Sequence, residues 1–151
     1  MANISADIKE LINLFIKHGV KFAVCGGHAV AHHGYPRMTM DDDLLIEPSK
    51  ENARKVMVAL DQFGFGNAGI PVEAFNKEKT AITLGQQPNQ VDLLTSMSNV
   101  STSEIIRNSV QGKLGGIKIQ FVSRADLLEA KRQAGRPKDL ADLDELEKIA
   151  Q

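Results

Sequence analysis

A chain of 151 residues with 42% hydrophobic residues can bury one substantial core, which favours a single domain over residues 1–151. Its formal net charge of −1 excludes a globally basic nucleic-acid-binding protein, so any such contact must come from a local patch. No run approaches the roughly 18 apolar residues of a membrane helix. Because charged residues also stand where a signal peptide would be apolar, we expect a cytoplasmic protein with no membrane partner.

The first half of the sequence alternates helical and strand patterns. Apolar residues recur at helical spacing after Ser5 and after Ser49, and each serine can cap a helix. Two apolar runs between these helices predict buried strands. The alternation predicts an α/β (α+β) layer architecture, a mixed twisted sheet flanked by helices. The predicted elements are a helix from Ser5 to Gly19, a strand at 21–25, a helix at 29–33, a strand at 41–46 and a helix at 50–62.

The second half contains two hairpin patterns and two helical patterns. Gly115 and Gly116 separate two strand patterns and predict a type I′ turn. Ser123 can cap a helix, and Pro137 fits the first turn of another. The predicted elements are a glycine-rich connection at 64–76 with a short helix at 72–75, strands at 80–84 and 90–95, a helical turn at 101–107, strands at 109–114 and 117–122, a helix from 123 to Gly135, and a helix from Pro137 to Ala150 with Leu140, Leu143, Leu146 and Ile149 facing inward.

Three acids carry the strongest chemical signal. Asp41 and Asp43 would share one face of a strand, with Asp42 on the other face. Two ionised carboxylates on one face repel each other unless a cation binds, and Mg²⁺ prefers carboxylate, water and phosphate oxygens. Asp92 lies inside an apolar strand pattern, where it either faces solvent at an edge or joins a metal site. We expect Asp41, Asp43 and Asp92 to be catalytic and to bind metal as a two-Mg²⁺ site.

A glycine pair and a short connector precede the acids. Gly26 and Gly27 join a strand to a helix, and they form either a simple tight turn or a backbone cradle for phosphate. Arg37 and Thr39 lie just upstream of the acids and are candidate nucleotide-binding residues. For Arg37 the alternatives are a contact to a triphosphate and a salt bridge that offsets the crowded acids.

The most concentrated basic patch lies where the last two predicted helices meet, at residues 131–139. Cations in the last turn of a helix complement its dipole, which accounts for part of this clustering without a ligand. The other interpretation is that Lys131 and Arg136 neutralise the phosphates of a nucleotide or of an acceptor.

Cysteine and histidine residues give weaker signals. Cys25 has no partner for an internal disulfide, and its apolar surroundings favour a buried core residue over a reactive thiol. His28 and His32 have the i, i+4 spacing of a zinc site, but no third ligand stands near them in sequence. We expect His28 to pack near the glycine turn instead.

The motifs together resemble the nucleotidyltransferase superfamily that includes polymerase beta and the minimal nucleotidyltransferases. The shared pattern is apolar-Gly-Gly, a spacer of thirteen residues, Asp-x-Asp-apolar, and a later Asp in an apolar strand. The stretch from Leu127 to Asp142 resembles the AbiEii-type branch, the toxins of bacterial toxin-antitoxin and phage-defence systems. The resemblance extends from Val24 to Asp142 and implies a nucleotidyltransferase-like fold.

The resemblance also implies residue roles. By it, Gly26 and Gly27 would cradle the nucleotide phosphates, Lys131 would contact the nucleotide, and Asp92 would help to activate the acceptor hydroxyl.

Three positions depart from the family pattern. Asp42 stands where the family has an apolar residue, and a buried charge there needs a partner such as Arg37. Gly27 replaces a serine found in other branches. Lys138 stands where the toxins commonly have arginine, which keeps the charge but loses bidentate geometry.

The implied activity is Mg²⁺-dependent transfer of a nucleoside monophosphate from an NTP to a hydroxyl on RNA, protein or a small molecule. The alternative is a catalytically inactive binding module that acts through a partner protein, as one half of a toxin-antitoxin pair. A metal-binding or DNA-binding domain is a third alternative, and the near-neutral charge disfavours DNA. Because the chain is short, we expect a further domain, an antitoxin or toxin partner, or a homo-oligomer to supply acceptor recognition.

Overall fold

Helices and strands alternate in the first half of the chain, and hairpins followed by helices make up the second. A computed structural model describes residues 5–39 and 41–149. The elements are α1 (Ala6–Lys17), β1 (Phe22–Cys25), α2 (Gly26–His32), β2 (Asp41–Ile46), α3 (Lys50–Leu60) with a π-helical turn (Asp61–Phe65), a 3₁₀ turn (Val72–Phe75), β3 (Ala81–Leu84), β4 (Gln90–Leu94), α4 (Thr102–Arg107), β5 (Val110–Leu114), β6 (Ile117–Phe121), α5 (Arg124–Ala134) and α6 (Pro137–Glu147).

Local capping explains where several elements begin and turn. The side chains of Ser5, Ser49 and Ser123 each accept a backbone N–H three residues later, at the starts of α1, α3 and α5. Gly115 and Gly116 both have positive φ, 57° and 82°, as the tight turn between β5 and β6 requires. These starts and this turn are as predicted.

The six strands form one mixed sheet in the order β3-β4-β2-β1-β6-β5. β1 runs antiparallel to β2 and parallel to β6, while β2 runs parallel to β4. The hairpin partners β3 and β5 occupy the two edges. The predicted mixed sheet flanked by helices is therefore confirmed, with the acid-bearing strands β2 and β4 side by side.

The core lies between the central strands and the helices. α1 packs against α3, α5 packs against α6, and the apolar residues of β1 and β2 are almost fully buried. Burial of these side chains is the main source of stability. The fully buried large residues include Leu11, Ile12 and Phe15 of α1, Leu44, Leu45 and Ile46 of β2, Leu60, Leu93 and Phe121.

One prediction for α6 is wrong. Leu140 was expected to face inward, yet it is 49% exposed, whereas Leu146 is fully buried. The buried face of α6 carries Asp139, Asp142 and Leu146 at helical spacing, and Leu140 lies about 100° around the helix from Asp139. Two buried acids thus share the inner face with Leu146, while Leu143 and Ile149 pack partly buried against the core, as predicted.

Some boundaries also differ from prediction. The glycine pair forms the first turn of α2 rather than a separate turn before it. α6 ends at Glu147, and the predicted end at Ala150 lies outside the described residues. None of the helices in the described part of the chain combines the length and apolarity that crossing a bilayer demands.

Candidate active site

Four residues form a row across one face of the sheet. Cys25 on β1 is paired with Asp43 on β2, Asp43 is paired with Asp92 on β4, and Asp92 is paired with Thr83 on β3. Directly paired residues place their side chains on the same face, and neighbouring strands lie about 4.8 Å apart. The row runs from buried Cys25 to exposed Thr83. Two acids therefore stand side by side at its centre.

The surroundings of Asp43 disfavour its negative charge. Burial is the largest cause that raises the pKa of Asp43 from 3.8 to about 7, and the neighbouring acids Asp92, Asp41 and Asp42 contribute the rest of that shift. A carboxyl with such a pKa carries negative charge that its surroundings do not balance. A bound cation would relieve that repulsion.

A cavity of about 300 Å³ opens beside the row. Its acidic side is formed by Asp41, Asp43 and Asp92, the three predicted metal ligands. Lys131, Arg136 and Lys138 from the α5–α6 junction also line this cavity. The other lining residues are Cys25, Gly26, Leu94, Met97, Leu127, Ala130, Ala134 and Asp139.

Neutral donors hold two of the acids. Gln87 Nε2 donates to Asp41 Oδ1 at 3.0 Å. Asp92 Oδ1 accepts from Thr83 Oγ1 at 2.8 Å and from Gln90 Nε2 at 3.1 Å. Sequence reasoning missed these three donors, although Gln90 stands two residues before Asp92 and so shares its strand face. The donors fix the carboxylates without cancelling their charge.

The donor set fits Mg²⁺ in one respect. Within residues 5–39 and 41–149, no three acidic, histidine or cysteine side chains are grouped closely enough to form a metal site by themselves. Mg²⁺ commonly takes only one or two carboxylates and completes its octahedron with water and substrate phosphates. Asp43 and Asp92 are the pair that matches this requirement.

Gly26 has a specific steric role. Its φ is +68°, and a Cβ at this position would overlap the carboxyl group of Asp43. Only glycine allows the backbone to approach the acid this closely. Gly26 also lines the cavity.

Gly27 and Thr39 lie against each other and are not among the residues that line the cavity. A Cβ on Gly27 would be 2.6 Å from the Cβ of Thr39, so the missing side chain makes room for the threonine. Thr39 Oγ1 in turn donates to the carbonyl oxygen of Asp41 at 2.9 Å. The pair packs the start of α2 against the start of β2, where it supports the acids.

Arg37 forms a salt bridge, but not with the crowded acids. Its Nε and Nη2 donate to the two carboxylate oxygens of Asp142 on α6, each at 2.9 Å. Arg37 is not part of the cavity lining. The bidentate pair ties the connector before β2 to the C-terminal helix.

The expected pairing of Arg37 with Asp42 is wrong. Asp42 points to the face opposite Asp41 and Asp43, where α2 packs, and His28 Nε2 lies 2.6 Å from its Oδ1. Both side chains are buried, and Asp42 Oδ1 has no well-directed hydrogen bond. His28, the third residue of α2, thus supplies the partner that a charge on the inner face needs.

The basic junction is internally paired. Lys131 Nζ lies 3.0 Å from Asp142 and 3.4 Å from Asp139, and Arg136 Nε donates to Asp139 at 2.6 Å. Burial works to raise the pKa of Asp139, but the hydrogen bond from Arg136 and the charges of both cations outweigh it and hold the pKa low. Sequence reasoning gave the two buried aspartates no role, although Asp139 stands three residues after Arg136. Lys131 and Arg136 remain in the cavity lining.

Cys25 and His32 behave as packing residues, whereas His28 is the partner of Asp42. Burial and the nearby charge of Asp43 raise the pKa of the Cys25 thiol well above its usual value, which leaves it unreactive. His32 stacks on the ring of Phe121 at 4.1 Å, while His28 faces Asp42. The two histidines therefore do not share a site.

Comparisons with known proteins find similar solved structures but no similar sequence. No protein-family model matches the chain, and no curated protein is significantly similar to it in sequence. The crystal structure of the lincosamide antibiotic adenylyltransferase LnuA with lincomycin bound is similar, with a TM-score of 0.56, 14% identity, and coverage of 98% of this chain and 99% of that chain. An antigenic nucleotidyltransferase-like protein from Paracoccidioides brasiliensis has a TM-score of 0.54, 15% identity, and coverage of 99% and 79%. The expected nucleotidyltransferase-like fold is confirmed.

Proposed function

We propose that the protein is a Mg²⁺-dependent nucleotidyltransferase that transfers a nucleoside monophosphate from an NTP to a hydroxyl group and releases pyrophosphate. One observation carries this proposal. Asp43 and Asp92 stand in register on adjacent parallel strands, and they line a cavity of about 300 Å³. Such a cavity is at the lower end of the range for small-molecule sites.

Asp43 and Asp92 would hold Mg²⁺, and Asp41 would join them if a second ion binds with the substrate. Bound Mg²⁺ would supply the positive charge that draws the triphosphate in and offsets the charge of departing pyrophosphate. Asp92 faces the exposed β3 edge through its contact with Thr83, so it is the acid placed to accept the proton of an incoming hydroxyl. Gly26 keeps the backbone close to Asp43 without blocking the cavity.

The cations of the α5–α6 junction would receive the triphosphate. Lys131, Arg136 and Lys138 line the cavity that the three acids also line. Asp142 holds Lys131 in place and Asp139 holds Arg136, so the side chains of both cations are already ordered before substrate binds. Such preorganisation lowers the entropic cost of binding and is the main device of phosphoryl-transfer enzymes.

The acceptor hydroxyl is proposed to belong to RNA, a protein or a small molecule. LnuA is named as an adenylyltransferase of lincosamide antibiotics, so a lincosamide is a reasonable small-molecule acceptor to test. The AbiEii-like pattern in residues 127–142 supports a role in a toxin-antitoxin pair. A partner of that kind, or a second copy of the chain, would complete acceptor recognition in the cytoplasm.

A binding module without catalysis is the second candidate. The observation that favours it is the internal pairing of the site: Asp41 is bonded to Gln87, and Lys131 is bonded to two aspartates. In such a module the same cavity would bind an NTP and transmit its presence to a partner protein.

The test is a transfer assay with each NTP labelled in the α-phosphate, in the presence and absence of Mg²⁺. The acceptors offered are total RNA, cell-extract protein and lincomycin. Label should appear on one acceptor class with the wild type and with Asp144→Asn, an exposed acid on α6 that serves as the matched control. Asp43→Asn and Asp92→Asn should abolish it. NTP binding that persists in both variants, with no transfer by the wild type, would establish the binding module instead.

A further inference from the structure

The hydroxyl of Thr83 lies against one acid of the candidate site. Thr83 Oγ1 donates a hydrogen bond to Asp92 Oδ1 at 2.8 Å. Among the hydroxyl side chains in the described ranges, Thr83 is the one that hydrogen-bonds to the carboxylate of Asp41, Asp43 or Asp92. The contact therefore places a nucleophile of the chain itself against the proposed base.

The placement of Thr83 follows from the sheet register. Thr83 pairs with Asp92 across the antiparallel β3–β4 ladder, and Asp92 pairs with Asp43 across the parallel β2–β4 ladder. The hydroxyl is thus next in the row after the two acids, on their face of the sheet. β3 is an edge strand, and Thr83 is exposed on it, so no neighbouring strand shields the hydroxyl.

We propose that Thr83 is a site of self-modification, at which the protein attaches a nucleoside monophosphate to its own side chain when no other acceptor is present. This inference rests on the proposed function, because it uses the same acids and the same NTP. Asp92 is the shared group, since a bound acceptor and Thr83 would compete for it.

The step balances as an ordinary phosphoryl transfer. Thr83 Oγ attacks the α-phosphorus of an NTP, and a new P–O bond forms while the bond from that phosphorus to the β-phosphate oxygen breaks. The hydroxyl proton passes to Asp92 Oδ1, which already accepts its hydrogen bond. The products are a phosphodiester that joins Thr83 to the nucleoside and free pyrophosphate, with no redox change.

The experiment incubates the purified full chain with each α-phosphate-labelled NTP and Mg²⁺, without any acceptor, and locates the label by peptide mass spectrometry. We expect incorporation that saturates at one nucleotide per chain and maps to Thr83. The labelled fraction at a fixed time should not depend on protein concentration, because the hydroxyl and the acids belong to one molecule.

Three variants sharpen the assignment. Thr83→Val removes the hydroxyl at similar volume and should abolish the label, while Thr83→Ser should retain it. Thr80→Val makes the same change just before β3. Because Thr80 is an odd number of residues from Thr83, it belongs to the other face of the strand, and its replacement should leave labelling unchanged. Loss of the label in Thr80→Val, or its persistence in Thr83→Val, would overturn the proposal.

The two proposals fail in different ways. Transfer to RNA, protein or lincomycin with no label on Thr83 would overturn self-modification and leave the proposed function standing. No label on any acceptor and none on Thr83 would overturn both. A label on Thr83 that survives in Asp43→Asn would show chemistry independent of the site and would also overturn the inference.

Discussion

Replacing Asp43 with asparagine is expected to stabilise the folded protein at alkaline pH while it removes the proposed activity. Burial and neighbouring acids raise the pKa of Asp43 from 3.8 to about 7. Between these two values the folded state binds more protons than the unfolded state, so stability falls as the pH rises through that window. The destabilisation is complete above about pH 7, and asparagine removes it because it carries no charge.

The expected gain in the free energy of unfolding follows from the same pKa of Asp43. About three pH units separate the two values, and at about 1.4 kcal/mol for each unit the ceiling is about 4 kcal/mol. Asp43 is only half-buried, so solvent screening reduces the expected gain to about 2 kcal/mol. For a chain of this size that gain raises Tm by about 4–8 °C.

The assay is thermal or urea unfolding of the wild type and Asp43→Asn at about pH 8 and about pH 5. About a third of the titration window lies below pH 5, so the gain there should be about a third of that at pH 8. Adding Mg²⁺ should stabilise the wild type more than the variant, because an ion bound only to the folded state adds to stability. Asp144→Asn should change stability by less than about 0.5 kcal/mol at either pH.

Two outcomes would show that the buried charge of Asp43 is not destabilising. A loss of stability in Asp43→Asn at pH 8 would mean that the carboxylate is favourably paired in the folded state. A gain that is equal at both pH values would mean that its origin is packing rather than charge.

Three further changes test other parts of the site. Gly26→Ala should cost more than about 2 kcal/mol, because it adds a clash with Asp43 to an unfavourable φ, whereas Gly69→Ala, at φ +75° in open space, should cost about 1 kcal/mol. His28→Leu should cost about 3–5 kcal/mol by leaving Asp42 unpaired, and adding Asp42→Val should restore most of it. Asp142→Asn should make the protein less sensitive to acid. Burial works to raise the pKa of Asp142, but hydrogen bonds from Arg37 and Lys131 outweigh burial and hold this pKa below 3.8 in the folded protein. The stabilising charge of Asp142 is therefore lost as the pH falls through that lowered pKa.

Unfolding curves measure all three. Equal losses in Gly26→Ala and Gly69→Ala would remove the steric argument for Gly26. A double variant at positions 28 and 42 that is no more stable than His28→Leu would show that the two side chains are not coupled. An Asp142→Asn protein with the acid transition of the wild type would show that this carboxylate does not set the acid limit of stability.

The sequence was most informative where local chemistry decides the structure. Ser49 caps α3 and the Gly115–Gly116 turn closes a hairpin because both effects act within a few residues. The alternation of Asp41, Asp42 and Asp43 also predicted which acids would share a face. Asp92 could be placed beside them only by assuming that its strand is their neighbour, which the sheet order bears out.

Contacts between distant elements could not be read in the same way. His28 pairs with Asp42 because α2 packs behind β2, and Arg37 pairs with Asp142 across 105 positions of sequence. The charge of a histidine or an arginine does not indicate which of several nearby acids it will pair with. Leu140 was misplaced for a related reason, since hydrophobic periodicity does not anticipate that buried ion pairs will define the inner face of a helix.

The role of the paired acids is tested by the transfer of an α-phosphate label from an NTP by purified protein, compared between the wild type, Asp43→Asn, Asp92→Asn and Asp144→Asn. We expect Mg²⁺-dependent incorporation by the wild type and Asp144→Asn, with none above background in Asp43→Asn and Asp92→Asn. Equal incorporation by Asp92→Asn and the wild type would contradict this expectation, because the two adjacent acids would then not form the working site.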